Sequence, residues 1–327
     1  MCRWLPASAC TRHVVAVLEM THRRAVALMV LVTLLWSIAG VVTRHLEVAR
    51  SFEVTFWRSA FNALALAGAL TLMRGPALWR GLLQPGRAVW ISSVCWAVMF
   101  TAFMLALTMT TVANVLVTMA IGPMITALFS RFFLGKQLPA RTWLAIFVAG
   151  AGIAWMFGLE VGQGGSLLGM LVASAVPLAG AVNWTVLQRV GEAGEEAPDM
   201  LPAVLIGALL SALFSLPLAW PLQASGHDLG LLALLGSVQL AIPCLLVVRL
   251  TRVLPGPEIA LLALLEVVFG VAWAWLWAGE VPAGSVLVGG CLVLGALVVN
   301  EGLALGRGRA DDQTPGGGWP TRASCRG

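Results

Sequence analysis

Glu266 lies inside Ile259–Trp277, a segment built otherwise only of apolar, Gly and Trp residues. At ~1.5 Å rise per residue, its carboxylate sits about 10 Å along that segment, where insertion into lipid costs about 2.5–3.5 kcal/mol. Such groups persist where they face a cavity, a partner or a pathway. A carboxyl whose surroundings alternate between wet and dry can load and release a proton, so Glu266 is the proton-coupling candidate. The plainer reading is a permanently protonated group hydrogen-bonded to a neighbouring helix. Gly270, one turn on, leaves space on the same face.

Other polar groups interrupt the apolar stretches at helical spacing. Arg58 and Asn62 stand at i, i+4 and share one face. Arg58 is either a snorkelling residue near a boundary or the counter-charge to Glu266 or to an anionic solute. Asn114, Thr118, Gly122, Thr126 and Ser130 recur every four residues, with Pro123 inviting a kink. A small-residue packing seam accounts for most of that row, but not for the amide, so Asn114 and Thr118 are taken as site candidates and the lower part as packing. Asn183, Trp184 and Gln239, the last four residues before Pro243, add hydrogen-bonding groups that could equally be interhelical glue. Trp36 and Trp96 could stack a planar solute. Trp273, Trp275 and Trp277 crowd one end of their stretch and read as an interfacial aromatic belt.

Enzyme constellations are missing from the chain. It contains no GxSxG, HExxH or Walker sequence, and His13, His22, His45 and His227 are scattered. The six cysteines, Cys2, Cys10, Cys95, Cys244, Cys291 and Cys325, have no zinc-like spacing and read as small hydrophobes. Neither a cofactor nor a metal is expected, and without an ATP site any active transport must draw on an ion gradient.

The elements that position these residues follow from composition. Of 327 residues, 59% are hydrophobic and 11% charged, against about 25% charged in soluble domains. Apolar stretches occur near 25–43, 54–73, 88–107, 112–133, 142–158, 166–187, 200–220, 229–249, 258–278 and 283–304. Each approaches the ~20 residues a membrane span needs. Threading them alternately from a cytoplasmic N-terminus puts all Lys and Arg on the inner side except Arg44, Arg50 and Arg58. That bias predicts both termini and the Gly191–Asp199 loop inside, in the inner membrane.

The chain also repeats. Leu31-Val32, Ala39-Gly40 and Val42 recur 140 residues later as Leu171-Val172, Ala179-Gly180 and Val182. Gly135 matches Gly279 at offset 144, and Pro139-Ala140, Leu144 and Gly152 match Pro282-Ala283, Leu287 and Gly295 at offset 143. A unit of five spans is odd, so the second copy must cross the membrane in the opposite sense, as in inverted-repeat transporters. The expected fold is all-α integral membrane, with ten transmembrane helices in two five-helix inverted-topology repeats, 25–158 and 166–304. Residues 1–24 form an N-terminal cytoplasmic segment, with Met20 a plausible true start. Residues 305–327, rich in Gly, Pro, Asp and Arg, read as a disordered cytoplasmic tail.

Over about residues 22–304 this pattern resembles the drug/metabolite transporter superfamily, particularly its EamA-type permeases. The resemblance is carried by Trp57-Arg58, by Gly122-Pro123 through Leu134-Gly135-Lys136, and by Leu265-Glu266-Val267 through Gly279-Glu280. This chain has Glu266-Val267 where members usually carry Glu-Pro, and Gly135-Lys136 where they usually carry Gly-Glu. The resemblance implies a secondary transporter moving a small organic metabolite or drug across the inner membrane by alternating access, in the export direction, with proton coupling. Its partners would be a small-molecule substrate, the lipid bilayer and protons, with a homodimer as an option and no nucleic acid. A flippase of a lipid-linked substrate on the same scaffold and a non-transporting membrane scaffold are the alternatives. The last predicts no interior cavity.

Overall fold

The computed structural model describes residues 20–312 except 44, 76–78, 80, 81, 83, 84, 111, 158–165, 194–196 and 279–283. The expected pairings of Gly135 with Gly279 and of Pro139-Ala140 with Pro282-Ala283, and the segments 1–19 and 313–327, therefore lie outside the described residues. Among the described residues all regular structure is helical, and each apolar stretch is helix over most of its length. Seven of these helical stretches are long and apolar enough to cross a bilayer: His22–Thr43, Arg87–Met109, Asn114–Leu134, Leu167–Gly191, Leu201–Ala219, Gly226–Leu250 and Gly256–Trp277. Shorter apolar helices cover Ala140–Trp155 and Gly284–Asn300. Apolar side chains also cover the outside, where Leu64, Leu72, Phe132, Leu167 and Val298 are exposed. Water would not tolerate so much apolar surface on a monomer, and the chain is a multi-pass membrane protein.

Several stretches are broken. The first is α1 (His22–Ser37) and α2 (Ala39–Thr43), interrupted at Ile38; Thr21 caps its start by accepting from the Arg24 N–H at 3.5 Å. Helices α3 (Ser51–Arg74) and α4 (Arg87–Met109) are continuous. The fourth divides into α5 (Val112–Met119) and α6 (Gly122–Leu134). Pro123 has no N–H to offer the Met119 carbonyl, and the chain turns through Ala120 and Ile121 before the helix restarts. Helix α7 (Ala140–Phe157) is followed by α8 (Leu167–Gly191), which carries Pro177 internally, and α9 (Leu201–Ala219). The eighth stretch is α10 (Gly226–Leu234), a π-helical turn over Leu235–Ala241, and α11 (Ile242–Leu250). Pro243 again leaves the carbonyl four residues back, that of Gln239, without its helical donor, and a π-bulge absorbs the mismatch. The ninth is α12 (Gly256–Ala263) and α13 (Leu265–Ala278), separated by Leu264. Helix α14 (Gly284–Asp312) continues past the predicted boundary at 304 through Asp312.

The packing is two-sided. Helix α1 lies against α11, α12 and α13; α3 against α9 and the π-turn; α4 against α8 and α9; α5 and α6 against α8; and α6 against α12. Helices α7 and α14 pack against one another, closely enough that a Cβ on Gly152 would come within 2.8 Å of the Gly289 carbonyl.

Polar ties collect at the two ends. At one end Arg74 pairs with Asp199 at 3.1 Å, Lys136 with Glu192 at 2.6 Å and His22 with Glu258 at 2.7 Å. At the other, Asp228 accepts backbone N–H groups of Glu47, Val48 and Ala49 at 2.8–3.0 Å, and Glu53 accepts those of Gln223 and Ala224 at 2.7 Å. The two carboxylates thus tie the 45–50 and 220–225 connections together.

Candidate functional site

The breaks surround a cavity of about 170 Å³, room for on the order of ten waters or a small organic solute. Its wall draws on α1, α3, α4, α5, α6, α8, the π-turn, α11, α12 and α13, while α7, α9 and α14 stay outside it. Trp36, Arg58, Trp96, Trp184, Gln239 and Glu266, all singled out in the sequence, line it together.

Glu266 stands in the first turn of α13, directly after the break at Leu264. The break is tight: the Leu264 N–H donates to Leu261 O at 3.2 Å and the Val267 N–H to Leu264 O at 3.1 Å. The start of a half-helix, whose backbone dipoles favour negative charge, therefore faces the cavity beside the carboxyl. Gly122 and Pro123 bring the start of α6 to the same space. Discontinuous helices with their N-terminal ends at a central site are the usual construction for binding ions and anionic groups inside a membrane.

Arg58 reaches the wall from α3 and is only 4% exposed. Its Nη2 donates to Gln239 Oε1 at 3.2 Å, and Gln239 Nε2 donates to the Trp36 carbonyl at 3.1 Å. This chain joins α3, the π-turn and α1 at the point where α1 is about to break. Gly236 makes it feasible, since a Cβ there would meet Arg58 O and Phe61 Cβ at 2.6 Å. Arg58 and Glu266 line the same cavity, yet no ion pair closes between them.

Aromatic rings form much of the remaining wall. Trp96 and Trp184 meet edge to face with centroids 5.7 Å apart, and Trp96 packs on Phe100 at 5.5 Å. Trp96 is seated by the close approach of α9, where a Cβ on Gly207 would fall 2.5 Å from Trp96 Cβ.

Four further sequence candidates are placed elsewhere. Asn62 is fully buried away from the cavity, with no side-chain hydrogen bond. Asn114 Nδ2 donates to Thr110 Oγ1 at 2.8 Å, and the Thr118 hydroxyl donates to Asn114 O at 2.7 Å. Asn183 Oδ1 accepts from Ser92 at 2.6 Å, fastening α8 to α4. Gly122 and Thr126, read as packing, line the cavity, whereas Asn114 and Thr118 do not. Trp273 also departs from the aromatic-belt reading, because its Nε1 donates to Ser37 Oγ at 2.9 Å and ties α13 to α1. Trp275 and Trp277 are exposed, as a belt requires.

Sequence reasoning passed over Met99, Phe100, Phe103, Met119, Pro177 and Gly180 as cavity residues. An aromatic or thioether in a hydrophobic helix carries no mark of which way it faces, whereas Pro177 and Gly180 did carry one. Among the described residues no cluster of three His, Cys, Asp or Glu could hold a metal.

A multi-pass helical membrane protein with a mixed-charge, aromatic central cavity between broken helices is of the transporter class. Residues 23–158 match the family model of the EamA-like transporter family. The chain is 27% identical over 255 residues to the "Pseudopaline exporter CntI" of Pseudomonas aeruginosa, in strains UCBPP-PA14 and PAO1. That match spans 75% of this chain and 84% of the exporter. A solved crystal structure at 19% identity superposes with a TM-score of 0.73 over 87% of this chain and 99% of its own, a likeness of fold. The family match over residues 23–158 and the similarity to the exporter support an EamA-type permease of the drug/metabolite transporter superfamily.

Proposed function

We propose that this chain is a ten-span secondary transporter that exports a small organic solute across the inner membrane by alternating access, with Glu266 carrying the coupled proton. The observation that carries the reading is the cavity itself. A carboxyl with no hydrogen-bond or ion-pair partner among the described residues stands at a helix break on the wall of a solute-sized space, facing contributions from both halves of the chain. A scaffold has no use for such a space.

The inverted-repeat layout is supported by the packing. Exchanging each stretch of the first half with its counterpart in the second maps the observed helix contacts onto one another: α1 on α11 becomes α8 on α4, α1 on α13 becomes α8 on α6, and α3 on the π-turn becomes α9 on α4. The contacts of α3 with α9, α6 with α12 and α7 with α14 map onto themselves. The restart of the fourth stretch at Gly122 and of the ninth at Leu265 is separated by 143 residues, the offset found in the sequence repeat. The ion pairs of Arg74 and Lys136 and the His22–Glu258 contact join chain ends that a ten-span path with inner termini puts on one side. Export is favoured by the exporter relative.

The test is a comparison of solute levels between cells lacking and cells overproducing the protein, followed by uptake of the responding solute into inverted vesicles. We expect energised accumulation by the wild type that collapses on adding a protonophore. Accumulation insensitive to the protonophore would remove proton coupling, and no solute difference at all would remove transport.

A further inference from the structure

Arg141, in the first turn of α7, has no counter-charge. Among the described residues no hydrogen bond or ion pair reaches its guanidinium. Its Nε and Nη1 are buried without a partner, and the side chain as a whole is half-buried, which leaves Nη2 as the donor open at the surface. An unpaired guanidinium is costly beside lipid, and buried charge is stable only when paired or hydrogen-bonded. Snorkelling to water accounts for a wetted head group, but two of these three nitrogens are dry. The basic neighbours at this end differ, because Arg74 already holds Asp199 and Lys136 holds Glu192.

The surroundings suit a phosphate. The Thr142 and Trp143 N–H groups turn back to Pro139 O at 2.9 and 3.5 Å, so those of Ala140 and Arg141 face out of the helix start. The positive end of the helix dipole there adds to the guanidinium. Beside it the Thr142 hydroxyl donates to the buried Asn300 Oδ1 at 3.2 Å, fixing the height of α14 against α7. Below that level Leu144 and Phe147 on α7 and Val299 on α14 are exposed. Neither helix lines the cavity, so this apolar slope meets lipid rather than solute. Basic pockets between membrane helices on the cytoplasmic side are where acidic headgroups bind.

We propose that Arg141 and the start of α7 bind the phosphate of an anionic phospholipid, with its acyl chains along Leu144 and Phe147. On the ten-span path this lipid belongs to the cytoplasmic leaflet. A guanidinium takes phosphate oxygens two at a time, and the donors it needs are the ones this site leaves unspent. A soluble phosphate would satisfy the same donors but gain nothing from the slope beneath them. The site stands apart from the transport reading, and either can fail without the other.

The full-length protein in detergent, stripped of lipid, is titrated with phosphatidylglycerol, phosphatidylcholine, glycerol 3-phosphate and inorganic phosphate. Native mass spectrometry reads occupancy, and melting temperature reads protection. Phosphatidylglycerol should be retained at about fivefold lower concentration than the zwitterionic phosphatidylcholine, the factor one arginine supplies near an anionic surface. It should also raise the melting temperature, which the soluble phosphates should not. Arg141→Gln should remove the preference. Arg131→Gln, at an exposed arginine of the same end, should keep it. Should Arg141→Gln fail to fold, the wild type decides alone: phosphatidylglycerol with a photoactivatable headgroup should crosslink within residues 138–147. A preference that is absent in the wild type or survives Arg141→Gln would overturn the inference, as would crosslinks found only elsewhere. Equal protection by the soluble phosphates would overturn the lipid as its source.

Discussion

At the residue scale the account turns on two side chains. Glu266→Gln keeps volume and hydrogen-bonding capacity, so its effect on stability should be within about 1–2 kcal/mol. The amide does not titrate, so gradient-driven transport should fall at least tenfold while expression and melting temperature stay near wild type. Trp273→Phe removes the N–H that reaches Ser37. It should cost roughly 1 kcal/mol, visible as a lower melting temperature, with solute affinity nearly unchanged because Trp273 does not line the cavity. Glu266 was legible because a lone carboxylate among apolar residues has few explanations. Trp273 was not, because a tryptophan near a helix end looks the same whether its indole meets headgroups or a serine on the next helix.

At the element scale the helix breaks shape the cavity wall. Pro123 and Pro243 announced two of them, since each strips a helical carbonyl of its donor. The break before Glu266 was hidden, because Val267 stands where a proline would have declared it. The turn forms nonetheless through the Val267 N–H reaching Leu264 O. The π-turn shows why spacing alone misled in places. It advances the register by an extra residue, and Gly236 lets the turn come close enough to α3 for Gln239 to meet Arg58. Gly236→Ala would place a Cβ 2.6 Å from Arg58 O and 2.7 Å from Asn62 N. Those are backbone atoms with little room to move, so the cost should be about 1–3 kcal/mol. The prediction is a lower melting temperature together with weakened solute binding, read by tryptophan fluorescence. A variant with wild-type stability and affinity would mean that Gly236 does not hold Arg58 in place.

At the scale of the whole molecule, span positions were legible because lipid imposes one requirement on every stretch, about 20 apolar residues with all backbone groups bonded internally. The cavity was not, because it is a property of several helices at once. Orientation is testable directly. In a background without native cysteines, a cysteine at Ala197 should label only from the cytoplasmic side and one at Gly226 only from outside. Gly226 has open space around its Cβ position. Labelling of both from one side would break the ten-span path. The repeat predicts that an experimental structure superposes Gly40 on Gly180 under a rotation of about 180°, one axis serving every pair of stretches.

The central claim is that solute passes through the cavity that Glu266 lines. It is tested most directly by proteoliposomes loaded with a pH-sensitive dye and challenged with a responding solute under an imposed pH gradient, wild type against Glu266→Gln at equal reconstituted amounts. The account predicts solute-dependent proton movement for the wild type and none above empty liposomes for the variant. Equal rates for the two proteins would contradict it.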